Sequence, residues 1–369
     1  MSDNPFLQRA VKGVQKLRPY IPGKPLSVLE RELGIKDAIK LASNENPLGT
    51  SPLVKQLIAQ DSLDWARYPD GSGYELTAAL AKKHQIKASS ITLGNGSNDL
   101  LEMVARVFLT TDDETIFSQY AFAVYYLASQ AVGATIKIVP AMDYGHDLDG
   151  FLTAITNKTK VIWIANPNNP TGTWLNKTKL KDFLKTVPPH IIVVVDEAYI
   201  EYVNETEYPN SSLWLSEFEN LMVMRTFSKV YGLASLRVGY CLSSPALADL
   251  LNRVRQPFNV NMLAQKAACI ALTDQDFVAK SVKLNQQSMQ QMAEGLTKIG
   301  CQIIPSVGNF ILVDIGRPAA PIDLKLQQQG VITRSVENYG LINHLRISLG
   351  LAEENQKCLA ILAEVLSED

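Results

Sequence analysis

The sequence predicts an α/β protein: a three-layer α/β/α large domain on a mostly parallel sheet, joined to a smaller α+β domain. Three observations lead there. From Ser51 onward, apolar runs of strand length alternate with runs of helical period, the pattern of strands connected by crossover helices. The strand-like runs end in turn formers, asparagine-proline pairs or lone polar residues, as strands of an open sheet do at a ligand-binding edge. Beyond about Arg255 the alternation gives way to a long polar helix, short strands and a closing helix.

The elements follow in order. The segment up to about residue 45 contains Pro19, Pro22, Gly23 and Pro25 and reads as an extended arm packing with the smaller domain. Helical periodicity marks Pro52–Gln60, Tyr74–His84 and Asn98–Phe108. Strands are expected at Ile91–Leu93, Glu114–Phe117, Ala134–Val139, Val161–Ala165, Ile191–Val195, Leu221–Met224 and Arg237–Cys241. In the second part, Asn261–Leu272 and Asp276–Ile299 read as helices. Strands follow at Cys301–Pro305, Asn309–Val313, Gly330–Arg334 and His344–Ser348, and Glu353–Leu366 closes the chain as a helix. The expected division is a large cofactor-binding domain over residues 46–255, with residues 1–45 and 256–369 forming the small domain.

Composition narrows the function. A chain of 369 residues has room for two lobes, and 46% apolar with 20% charged residues describes a globular protein. The net charge of −2 offers no basic field for nucleic acid or an anionic membrane. The cysteines Cys241, Cys269, Cys301 and Cys358 lack metal or disulfide spacing and fit a reducing compartment. His84, His146, His190 and His344 are isolated, so no zinc motif is expected. The first residues carry no apolar stretch of the secretory kind, which favours a cytoplasmic location.

Four signals fall at the expected carboxyl ends of strands. Gly94-Asn-Gly-Ser-Asn-Asp99 joins a strand to a helix, and its exposed N–H groups suit a phosphate, although an ordinary capped helix start would look the same. Ala165-Asn-Pro-Asn-Asn-Pro-Thr-Gly172 is a rigid turn in which Asn169 could donate to a phenolic oxygen, with Asn169-Pro170 expected cis. In Ile191-Ile-Val-Val-Val-Asp196-Glu-Ala-Tyr199 a carboxylate closes an apolar strand, which is costly unless it is paired. A pyridinium nitrogen would pair it, and Tyr199 could reach the same oxygen as Asn169. A magnesium-binding Asp-Glu pair is the alternative, but the chain has no nucleotide-binding glycine-lysine loop. Last comes Thr226-Phe-Ser-Lys229, with Arg237 eight residues on. Thr226, Ser228 and Arg237 could surround a phosphate while Lys229 offers an amine to an aldehyde carbon. Anchor, nitrogen partner, oxygen partners and phosphate cup are together the needs of pyridoxal 5'-phosphate.

These residues resemble the fold-type I, class II pyridoxal-phosphate aminotransferases of the aspartate aminotransferase superfamily, and within them the histidinol-phosphate aminotransferases. The likeness covers nearly the whole chain. Besides the four signals, it includes Leu17-Arg-Pro-Tyr20, Leu41-Ala-Ser-Asn-Glu-Asn-Pro-Leu-Gly49, Arg67-Tyr-Pro-Asp70 and Leu345-Arg-Ile-Ser348. The resemblance implies that Lys229 anchors the cofactor covalently and moves the proton of the reaction. Asp196 would hold the ring nitrogen, with Asn169 and Tyr199 at the phenolic oxygen. Gly96, Ser97, Asn98, Thr226, Ser228 and Arg237 would bind the phosphate. Phe122 would stack on the ring where many relatives have tyrosine, and Ser235 stands where relatives often have glycine. Tyr68 would reach the cofactor phosphate of a neighbouring subunit in a homodimer.

For substrate, the resemblance implies that Arg346 binds an anion, with Arg334 and Tyr20 as further contacts and Asn46 nearby. Paired guanidinium groups suit the phosphate of histidinol phosphate and the carboxylates of glutamate alike. The implied reaction is ping-pong transamination between glutamate and imidazole-acetol phosphate in histidine biosynthesis. An aromatic-amino-acid aminotransferase would share every cofactor residue, and a threonine-phosphate decarboxylase would also need phosphate-binding arginines. A transcription regulator would need a helix-turn-helix module, for which the segment before residue 45 reads as too short and too rich in proline.

Overall fold

The computed structural model describes residues 5–19, 24–60 and 64–368. Its strands are β1 (Ile39–Lys40), β2 (Ile91–Gly94), β3 (Glu114–Ser118), β4 (Thr135–Val139), β5 (Thr159–Ala165), β6 (Ile192–Asp196), β7 (Leu221–Thr226), β8 (Gly239–Ser243), β9 (Gln302–Ile304), β10 (Phe310–Asp314), β11 (Val331–Ile332), β12 (Arg334–Ser335) and β13 (His344–Ser348). Seven of them form one sheet in the order β2-β8-β7-β6-β5-β3-β4. Neighbours from β7 to β4 run parallel, while β8 is antiparallel to both β7 and β2. The sheet is therefore mostly parallel with one reversed strand.

Strand periodicity explains the three layers. In β6, Val193 and Val195 enter one core while Ile192 and Val194 enter the other. In β7, Leu221 and Val223 separate from Met222 and Met224 in the same way. A strand covered on both faces cannot alternate polar with apolar residues, so it reads as an unbroken apolar run. Helices Ser97–Phe108, Ala123–Ala131 and Pro245–Val254 cover one face; Tyr74–His84, Lys177–Thr186 and Met262–Thr273 cover the other.

The second sheet, β12-β13-β10-β9, is antiparallel throughout. Helices Gln275–Lys298, Ala319–Gln328 and Ala352–Ser367 contribute to the core beside it. The stretch expected as one strand over Gly330–Arg334 is two. Val331 and Ile332 pair in parallel with β1, and after Thr333 the chain turns so that Arg334 and Ser335 pair with β13. The Thr333 hydroxyl donates to Asp323 Oδ1 at 2.5 Å and fixes that break.

One further expectation is corrected, and the cis bond expected at Asn169-Pro170 is found with a second beside it. The opening segment is not an extended arm throughout, because Leu26–Leu33 is a helix and shorter turns form at Leu7–Arg9 and Lys12–Gln15. Pro25 sits at the helix entrance, where a missing N–H costs nothing, and Gly34 ends it with a left-handed φ of 71°. Both Asn-Pro bonds of the turn after β5 are cis, Asn166-Pro167 as well as Asn169-Pro170. Among the described residues, no helix is long and apolar enough to cross a membrane, and no cluster of His, Cys, Asp and Glu could hold a metal ion.

Candidate active site

A cavity of about 420 Å³ opens at the carboxyl ends of β5, β6 and β7, facing β12 and β13. Its lining brings together Ser97, Asn98, Phe122, Asn169, Asp196, Tyr199, Thr226, Ser228, Lys229, Arg237, Arg334 and Arg346. These residues come from eight separate stretches of chain, most of them strand ends, helix starts or the turns beyond them, with Arg346 at the centre of β13.

Lys229 stands in the turn three residues beyond the end of β7, and its Nζ donates to the Ser43 carbonyl at 3.0 Å. Removal from water, and then the nearby Arg346, lower its pKa to about 7. The amine thus has a substantial neutral, nucleophilic fraction at neutral pH.

Asp196 ends β6 and is buried. Tyr125 donates its hydroxyl to Asp196 Oδ2 at 3.0 Å, and Asp196 Oδ1 is buried without a hydrogen-bond partner. Burial raises the carboxyl pKa to about 6, against the hydrogen bond from Tyr125. A buried carboxylate oxygen with no donor is costly, and a ring N–H is the donor that would satisfy it. Beside it, Phe122 meets Tyr125 edge-on at 5.8 Å, and Tyr125 stacks on Trp163 at 5.3 Å. Phe122 is thereby braced at the cavity wall.

The opposite wall is a hydrogen-bonded chain. Arg346 on β13 donates to Asn169 Oδ1 at 2.6 Å and to the Ala42 carbonyl at 2.6 Å. Asn169 Nδ2 donates to the Tyr199 hydroxyl at 3.3 Å. Arg334 lies opposite Arg346 in the β12–β13 pairing, so two guanidinium groups arise from adjacent strand positions.

At the other end of the cavity, helix Ser97–Phe108 presents its N-terminus after Gly96. Gly96 has a left-handed φ of 80°, and a Cβ there would lie 2.5 Å from Arg237 Nη2, so another residue would strain the backbone and push the guanidinium aside. Arg237 adopts a left-handed φ of 55° before β8 begins at Gly239, rather than starting the strand. It donates to the Ala234 carbonyl at 3.0 Å and reaches Ser228 Oγ at 3.5 Å. Helix N–H groups, two hydroxyls and a guanidinium form a cup for a dianion. An aromatic ring with an N–H at one end and a phosphate at the other matches these donors and acceptors.

Two expected residues stand elsewhere, Asn46 and Tyr68. Asn46 is buried but does not line the cavity. Its Nδ2 donates to the Val230 carbonyl and to Ser281 Oγ, and its Oδ1 accepts from Leu48 N, so its polar atoms are committed to the scaffold. Tyr68 is 78% exposed and stacks on Phe258 at 4.6 Å, and it does not line this chain's own cavity. Tyr20 lies outside the described residues. The sequence reading missed Asn44, Glu45, Tyr125 and the Ser43 carbonyl. Asn44 and Asn46 are the same residue type two positions apart, and only the left-handed φ of 54° at Asn44 decides which one turns inward.

The family model for aminotransferase class I and II matches residues 36–363, and the chain belongs to that family. Among curated proteins it is 54% identical to histidinol-phosphate aminotransferase 2 of Pseudomonas fluorescens, covering 98% of each chain. It is 53% identical to histidinol-phosphate aminotransferase 2 of Pseudomonas aeruginosa, covering 100% of each. The solved histidinol-phosphate aminotransferase of Sinorhizobium meliloti, in complex with pyridoxal-5'-phosphate, superimposes with a TM-score of 0.90 at 30% identity over 98% of each chain. Thermus thermophilus aspartate aminotransferase with maleate shares the fold, with a TM-score of 0.82 at 23% identity over 96% of this chain and 98% of that one.

Proposed function

We propose that this protein is a pyridoxal-phosphate-dependent histidinol-phosphate aminotransferase. It interconverts histidinol phosphate plus 2-oxoglutarate with imidazole-acetol phosphate plus glutamate, a step of histidine biosynthesis. The observation that carries the reading is the meeting, in one cavity, of an amine with a pKa of about 7 and a buried carboxylate with one unpaired oxygen. The identity to proteins named for this reaction supports the choice of substrate.

When bound, pyridoxal phosphate supplies a ring that accepts the electron pair left as a proton departs from the substrate carbon. Asp196 would hold the ring nitrogen protonated, with Tyr125 orienting its carboxylate. Asn169 and Tyr199 would hold the phenolic oxygen and Phe122 one ring face. Gly96, Ser97, Asn98, Thr226, Ser228 and Arg237 would hold the phosphate. Lys229 would anchor the group and, once displaced by the substrate amine, take and return the proton at the substrate carbon. Its depressed pKa would suit that exchange near neutrality. Arg334 and Arg346 would bind the substrate phosphate or a carboxylate in turn, since both anions fit the guanidinium fork. The protein would work as a homodimer in which Tyr68 reaches the partner's phosphate cup. Its exposure and its absence from the lining of its own cavity support this.

The test compares rates with histidinol phosphate, phenylalanine and threonine phosphate as substrates of the yellow holoenzyme. Histidinol phosphate is expected to be the fastest amino donor, with no carbon dioxide released from threonine phosphate. A phenylalanine preference would favour an aromatic-amino-acid aminotransferase, and carbon dioxide release a decarboxylase. Lys229→Ala should lower transamination by about 10²- to 10⁴-fold, the usual contribution of a positioned proton-transfer group. A wild-type rate in that variant would sink the assignment.

A further inference from the structure

Tyr199 is held by two amides rather than one. Asn44 Nδ2 donates to its hydroxyl oxygen at 3.0 Å, in addition to Asn169 Nδ2 at 3.3 Å. A phenolic oxygen has one hydrogen to give and two lone pairs to receive with. With both lone pairs engaged, the Tyr199 hydroxyl hydrogen has only the cavity to point into.

The direction of both amides is set by their other ends. Asn169 Oδ1 accepts from Arg346, which can only donate. Asn44 Oδ1 accepts from the Ser348 hydroxyl at 2.8 Å, while that hydroxyl's oxygen accepts from Asn44 N at 2.8 Å. Reversing the Asn44 amide would take from the buried Ser348 hydroxyl hydrogen the oxygen it donates to and set an N–H group in its place, leaving a buried donor unsatisfied. The backbone is fixed as well, because Asn309 Nδ2 donates to the Asn44 carbonyl at 3.0 Å. Asn44, Tyr199 and Ser348 are all buried, so these bonds are shielded from water.

We propose that Asn44 is a positioning residue that, anchored by Ser348, compels the Tyr199 hydroxyl to donate into the cavity at the cofactor's phenolic oxygen. This rests on the cofactor reading above. Ser348 lies two residues beyond Arg346 on β13. One strand therefore carries both the substrate anion contact and the anchor that orients the cofactor's oxygen partner.

A donor at the phenolic oxygen stabilises its anionic form and so lowers the pH at which the lysine–cofactor linkage loses its proton. That pH is read directly from the visible absorbance of the holoenzyme, without turnover. Asn44→Gly tolerates the left-handed backbone and removes only the amide. It is expected to raise the midpoint by a few tenths to about one pH unit, up to tenfold in proton affinity. Ser348→Ala, which leaves Asn44 in place, should raise it by less. Tyr199→Phe should raise it by at least as much as Asn44→Gly. Adding Asn44→Gly to Tyr199→Phe should then change nothing, because the group it acts through is gone.

An equal Asn44→Gly shift in both backgrounds, or no shift in either, overturns the proposal. An unshifted Tyr199→Phe midpoint would instead overturn the placement of Tyr199 at the cofactor oxygen.

Discussion

At the scale of the residue, the site depends on keeping charge out of water until something compensates it. Asp196 shows the consequence. Its folded-state pKa of about 6 lies above the ordinary carboxyl value of 3.8, so the folded protein resists its ionisation. The neutral form's contribution to stability is fully present below the ordinary value and is lost as pH rises through about 6. In cofactor-free protein near neutrality, the ionised Asp196 is therefore a liability. Asp196→Asn should make that form more resistant to urea at about pH 8, and the gain should shrink on acidification to about pH 5. Equal gains at both pH values would refute the burial argument. The same variant should bind pyridoxal phosphate more weakly. Asp196 was legible in the sequence because a carboxylate at the end of an apolar strand breaks the pattern. Asn44 was not, because its role depends on one backbone angle and on Ser348, 304 residues away.

At the scale of the element, the strand ends that carry the site are tied together behind it. Glu197 follows Asp196, and its Oε2 meets Arg225 Nη2 on β7 at 2.6 Å, with side-chain exposures of 0% and 6%. Glu197 Oε1 also accepts from Ser211 N at 2.9 Å, and Arg225 donates to Asn210 Oδ1 at 2.9 Å. The ends of β6 and β7 thus share a buried, hydrogen-bonded ion pair. Removing one partner strands the other charge, at a cost of about 3–5 kcal/mol. Glu197→Ala should lose stability of that order in urea unfolding of the cofactor-free protein, whereas a double change to Glu197→Leu with Arg225→Met should recover most of it. A loss below about 1 kcal/mol, the range of exposed pairs, would show the pair to be solvated. The strands themselves were legible because burial on both faces leaves unbroken apolar runs. Leu26–Leu33 was hidden because prolines signal helix entrances and extended chain alike. The break at Thr333 was hidden because pairing partners, not residue types, divide β11 from β12.

At the scale of the molecule, the alternation of strands and helices predicted the three layers, but the lobe division is harder to read. Helix Met262–Thr273 places Ala264, Ala267, Ala268 and Ala271 in the large core, whereas Gln275–Lys298 contributes Met292 and Leu296 to the small one. We propose the division near Asp274 rather than at residue 255, since a helix belongs with the core it fills. Assembly is the remaining step. Tyr68 stacks on Phe258 in the open, held by its own chain and not lining its own cavity, whereas Lys229 does line it. If each complete site takes Lys229 from one protomer and Tyr68 from its partner, two kinds of defective chain should rescue one another. A mixed dimer of Lys229→Ala with Tyr68→Ala then has one site lacking both groups and one site with both intact. Random re-association of equal amounts puts about half of the chains into mixed dimers, so about one quarter of all sites should be restored. Transamination should therefore rise, on unfolding and refolding the two variants together, to about one quarter of the wild-type rate per chain. Activity that remains at the mean of the two separate variants would place Tyr68 outside the partner's site and leave its ring stack a local surface contact.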